Sequence, residues 1–155
     1  YDIIKKISFI MSQNIASFLK RVGALIPGFQ GYESSEELRE SDYQIRLYTK
    51  EALENYIYLI ERAKGELDDK ELMNLDKIQN QLKLFSTKIV NQKFGYSALF
   101  ERKNNDTKLS EVIENDVALI SAIESIDTRC IDPSYIQELC IELEMILAAR
   151  KKILR

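Results

Sequence analysis

The chain has 155 residues, 45% of them hydrophobic and 30% charged, with a net charge of −3. That suits one soluble domain with a real core, and the acidic balance argues against a duplex nucleic-acid binder, which carries a basic surplus. Histidine is absent, which removes the usual general base and the commonest zinc ligand, while two cysteines make neither a disulfide framework nor a zinc site.

The first predicted element is a helix over about 2–25. Ile3, Ile4, Ile7, Ile10, Met11, Ile15, Phe18, Val22 and Leu25 share one face at helical spacing. Lys5, Lys6, Ser12, Gln13 and Lys20 lie opposite, with Phe9 among them. Such a helix either packs into a core or lies on a membrane or partner surface.

Residues 26–33 break the helical pattern. Ile26-Pro27-Gly28-Phe29-Gln30-Gly31-Tyr32 ends the first helix with a proline, turns on two glycines and carries two aromatics. Ser34 and Glu37 then form a capping-box pattern that starts a second helix over 35–64. Gly65 stands where a helix-ending C′ glycine belongs. Leu38, Ile45, Tyr48, Ala52, Leu53, Tyr56, Leu59, Ile60, Ala63 and Leu67 trace the inner side, and Tyr43, Leu47 and Tyr58 the back. Helix 1 or helix 5 covers that back, or it is a second contact surface.

Helix 3 is expected over 68–93, with Asp68 and Glu71 as its capping box. Leu75, Ile78, Leu82, Phe85 and Ile89 are spaced three, four, three and four residues apart. This a/d seam and the short connection predict an antiparallel hairpin with helix 2. A second loop, 94–106, contains Phe94-Gly95-Tyr96 and a polar run. Helix 4 follows over 107–126. Asp132-Pro133 opens helix 5, 133–155, which buries Ile136, Leu139, Cys140, Leu143, Ile146 and Leu147. Its closing Arg150, Lys151, Lys152 and Arg155 read as a solvated helix end that complements the dipole. Together these elements predict an all-α antiparallel bundle of about five helices in one domain, 1–155.

Asp116 is the odd residue of helix 4, set between Val112 and Leu119 on the apolar stripe. A carboxylate there needs a partner, because burying it alone is prohibitive. A structural clamp would have it accept from loop amides or from Tyr32, Tyr96, Arg39 or Arg46; a ligand or metal role is the alternative. Glu51-x-x-Glu54 and Glu66-x-x-Asp69 imitate paired acidic magnesium motifs. Glu54 and Glu66 lie ~18 Å apart along one helix and cannot converge on an ion. Neither a nucleophile elbow nor a phosphate-binding glycine loop is present.

The segment Ile26–Tyr32 resembles the Ile-Pro-Gly-Tyr-x-Gly-Tyr stretch of a family of bacterial α-helical proteins with no assigned activity. Arg39-Glu40-Ser41-Asp42 matches the family's Arg-x-x-Asp pattern. Phe94-Gly95-Tyr96-Ser97-Ala98-Leu99-Phe100 is similar to its Tyr-Gly-Tyr-x-x-Phe-Phe segment, with Leu99 replacing an aromatic. Asp116-Val117-Ala118-Leu119-Ile120 is similar to its Asp-Leu-Ala-Leu-Leu run. The likeness covers about residues 22 to 126. It implies a helical domain in which the two Gly-Tyr loops, Asp42 and Asp116 share a structural role.

The leading functional reading is a non-enzymatic scaffold or adaptor that binds a protein partner or itself, through Phe9, Tyr43, Leu47 and Tyr58. It implies no cofactor and no nucleic acid. Peripheral membrane attachment through helix 1 is a second reading. A ligand-binding or enzymatic bundle using Asp42, Asp116 and the loop tyrosines is a third. Reduced-looking cysteines and the absence of a visible signal peptide give a cytoplasmic expectation, with peripheral membrane contact as a variant.

Overall fold

The computed structural model describes residues 16–32, 34–92 and 105–154. Phe9, Tyr96, the 94–104 loop and most of the first helix lie outside them. Among the described residues there are five α-helical segments and no strand. These are α1 (16–25), α2 (Ser35–Ala63), α3 (Asp69–Asn91), α4 (Asn105–Glu124) and α5 (Pro133–Ile153). The chain is an all-α helical bundle. None of the described helices is long and apolar enough to cross a membrane.

Local chemistry sets the boundaries. Ser34 Oγ accepts from the Glu37 amide at 3.1 Å and opens α2. Asp68 and Glu71 satisfy each other's backbone amides in a reciprocal capping box that opens α3. Pro133 starts α5 with its fixed φ and no amide to satisfy, while Asp132 at the N-cap makes no side-chain capping bond. Two expectations fail here. Gly65 does not end α2 in a left-handed conformation: Lys64–Glu66 form a 3-10 turn that needs no positive φ. Leu25 faces out rather than in, because it occupies the last turn of α1 just before the chain departs through Pro27.

Helix α2 packs on α3 and α4, and α5 packs on α3 and α4. The α2–α3 seam buries Leu75, Ile78, Leu82, Phe85 and Ile89 at the predicted spacing. Arg46, early in α2, reaches carbonyls at the end of α3, so the two helices run antiparallel. Asp42, near the start of α2, is bonded both by Arg150 at the end of α5 and by Arg46, which reaches the end of α3, so α3 and α5 run parallel. Leu38, Ile45, Leu53, Tyr56 and Ile60 of α2 share the central core with Val112, Leu119, Ile120, Ile136 and Leu143. Phe18 and Val22 of α1 are buried in that same core.

Between α1 and α2 the chain turns on Gly28 and Gly31, both at positive φ (90° and 95°). A Cβ at Gly28 would also sit 3.3 Å from the end of the flexible Gln44 side chain, which can shift, so it is the positive φ that calls for glycine. Ser41 holds the turn from α2, donating to the Gly31 carbonyl at 2.7 Å and accepting from the Gln30 amide. This delivers Tyr32 into the bundle, where it is buried and meets Phe29 edge-on at 5.5 Å.

Candidate functional site

Tyr32 ends at the most polar point of the interior. Its hydroxyl donates to Asp116 Oδ2 at 2.5 Å. The other Asp116 oxygen accepts from Arg150 Nη1. Arg150 also donates through Nε to Asp42 Oδ1 at 2.8 Å, through Nη2 to the same oxygen, and through Nη1 to Asn115 Oδ1 at 3.0 Å. Asp42 Oδ2 accepts from Arg46 Nε at 2.9 Å. Arg46 Nη1 spans the Ile89, Val90 and Gln92 carbonyls at 2.8–3.1 Å, satisfying acceptors that the end of α3 leaves open. Asn115 Nδ2 ties the cluster back to the Ile146 carbonyl at 2.9 Å.

Among the described residues, two guanidiniums and two carboxylates thus meet in a site where Asp42 and Asp116 are wholly buried. Burial pushes Asp116 above the usual carboxylate range, against the pull of Arg150 and the Tyr32 hydroxyl. Burial and the Asp116 charge together raise Tyr32, so it stays a protonated donor. Neighbouring Asp116 and Asp42 more than offset the desolvation of Arg150, which is held charged. All four carboxylate oxygens already accept from this chain. That arrangement ties the loop, α2, α4 and α5 into one buried polar network.

Of the residues singled out in the sequence, the structure joins Asp116, Tyr32 and Asp42. Arg39 lies exposed on α2, and Arg46 and Arg150 bring guanidiniums to the carboxylates. Arg150 corrects the expectation of a solvated helix end, since only 1% of it is exposed. Its periodic placement after Leu143 and Leu147 was the available signal, hidden by the basic run that follows. Asn115 and Ser41, also buried, carried no such signal beyond their place beside Asp116 and Asp42.

On the outer side of α2, Tyr43 and Tyr58 are exposed (45% and 58%), with the Arg62 guanidinium 5.8 Å from the Tyr58 ring centre. Leu47 is half-buried, at the edge of a groove of about 410 Å³ also lined by Leu25, Ile26, Pro27 and Gln44. The acidic pairs do not converge. Glu54 pairs with Lys50 at 3.5 Å on α2, and Gln79 of α3 faces Ile57 and Glu61. Among the described residues, no group of three histidine, cysteine or carboxylate side chains could hold a metal ion.

The class these features define is an all-α bundle locked by a buried charge hub. No protein-family model, curated protein or solved structure matches the chain.

Proposed function

We propose that the protein is a non-enzymatic helical scaffold or adaptor that takes a protein partner, or a copy of itself, along the outer face of α2. The observation that carries this is the exposure of Tyr43 and Tyr58 on one rigid helix, with Leu47 and its groove between them. The tyrosines lie within about 60° of each other around the helix and ~22 Å apart along it. Tyrosine contributes large contact area at low side-chain entropy, which is why it recurs at the centres of protein interfaces. A groove beside such a stripe suits an inserted partner side chain.

The other two readings draw less support. Burial of Phe18 and Val22 in the core commits the described part of the first helix to packing rather than to a bilayer. Asp42 and Asp116 are occupied by Arg46, Arg150 and Tyr32, which argues against a ligand role for them.

A photo-crosslinking residue at position 43 or 58, with position 71 as control, tests the reading in the cells that make the protein. One protein should be trapped from both tyrosine positions and not from 71. Tyr43→Ala with Tyr58→Ala should weaken its measured binding at least ~10-fold with helix content unchanged. Failure to trap any protein from either position would reject it.

A further inference from the structure

The side of the bundle formed by α3 and α5 is patterned in a way that neither the core nor the α2 surface requires. From Lys77 to Asn91, α3 carries Lys77, Lys83 and Lys88 and no carboxylate. From Ser134 to Ala149, α5 carries Glu138, Glu142 and Glu144 and no cation. Lys88 Nζ meets Glu144 Oε2 at 3.1 Å across the seam between these parallel helices. One turn before Lys88 stands Leu84, and about one turn before Glu144 stands Ile141, with Met145 beside it. All three are largely exposed, at 71%, 55% and 68%. On a 100° wheel, Lys77, Leu84 and Lys88 of α3 lie within about 40° of one another. Glu138, Ile141, Glu144 and Met145 occupy the outward side of α5 in the same way, spread over about 120°.

This face therefore has a basic half, an acidic half and an apolar middle. We propose that it is an isologous interface, occupied by a second copy of this chain. A twofold axis lying in this face, between the two helices and parallel to them, lays the α5 of each copy parallel over the α3 of the other. The lysines of one copy then face the glutamates of its mate, twice, while Leu84 of each copy closes on Ile141 and Met145 of the other. A foreign partner would have to match both charged halves independently; a second copy matches them by symmetry. Two helices of 23 and 21 residues span roughly 30 Å by 20 Å, on the order of 600 Å² per copy. A standard interface buries about 800 Å² per partner, so the dimer is a weak, reversible one. The inference is independent of the α2 surface and stands whether or not that reading holds.

Molar mass measured by light scattering, from micromolar to submillimolar protein, tests it. The wild-type chain should pass from monomer to dimer over that range, and more readily at low salt. Leu84→Asp with Ile141→Asp should weaken association at least ~10-fold while helix content and melting temperature hold. K77E/K88E should separate the copies, and so should E138K/E144K. All four changes together restore opposite charges across the axis and should restore the dimer. A wild-type monomer throughout would overturn the proposal, as would a dimer that survives the two aspartates. So would failure of the four-fold swap to rescue, or a dimer lost instead through Tyr43→Ala with Tyr58→Ala.

Discussion

Arg150 enters the interior with its guanidinium between two carboxylates, and the consequences for stability follow from what each neighbour would lose. Removing one partner of a buried ion pair costs about 3–5 kcal/mol, because the remaining charge stays desolvated. Arg150→Met should therefore destabilise by that amount, since it takes from Asp42 and Asp116 the guanidinium they share. Asp116→Asn should cost less, about 1–3 kcal/mol, because an amide oxygen can still accept one of the two bonds. Urea titrations of both variants check the ranking, and a smaller loss for Arg150→Met than for Asp116→Asn would contradict it. The pH dependence has a definite sign. Burial raises the native pKa of Asp116 above the ordinary 3.8 of an aspartate, so the native state holds that proton more tightly than the unfolded chain. Between the raised value and 3.8, wild-type stability should rise relative to Asp116→Asn as pH falls. The benefit should be lost as pH climbs through the native value. Asp116 was legible in the sequence because an acid interrupted an apolar stripe. Arg150 was not, because it begins a run of cations that elementary dipole reasoning assigns to solvent.

Among the elements, the α2–α3 hairpin is where local pattern and tertiary packing agree most closely. The capping box at Asp68 and the three-four spacing of Leu75 through Ile89 are properties of neighbouring residues, so the sequence alone exposed them. What joins the hairpin at its ends is long-range and was not legible. Gln79 is buried at one end, donating to the Ile57 carbonyl and to Glu61 while accepting from Lys64. Arg46 closes the other end on the Ile89 and Val90 carbonyls of α3 and that of Gln92 just beyond it, 43 to 46 residues away. A glutamine or arginine at such a position looks like a surface residue until the partner helix is placed. Leu82 is wholly buried at the middle of the seam. Leu82→Asp puts an unpaired charge there, and the loss should consume most of a typical 5–15 kcal/mol stability. The variant should show depressed helicity and no cooperative thermal transition by circular dichroism. Melting at the wild-type temperature would mean that the seam tolerates a charge and is not the centre of the hairpin's packing.

For the molecule as a whole, the hub links more than its own residues. Tyr32 brings in the first loop, Asp42 and Arg46 bring in α2, and Asp116 brings in α4. Arg150 adds α5, and Arg46 reaches the end of α3. Elements sharing one buried network should open together, so that no helix detaches far below the global unfolding free energy. Cys140 reports on this directly. It is buried on α5, and burial pushes its thiol up to about 11, so the thiolate fraction at pH 8 is only about a thousandth. Cys130, in the loop before α5, is half-buried and should react first with a thiol reagent. With Cys130→Ser removing that background, Cys140 should be modified only through opening. Under conditions where reclosing outruns modification, its rate then follows the equilibrium population of the open form. The logarithm of that rate should rise with urea along the slope of global unfolding. Arg150→Met should raise it in proportion to the lost stability, roughly 100-fold or more for a loss of about 3 kcal/mol. A rate indifferent to urea, or unmoved by Arg150→Met, would show α5 opening alone and the hub failing to unite the bundle.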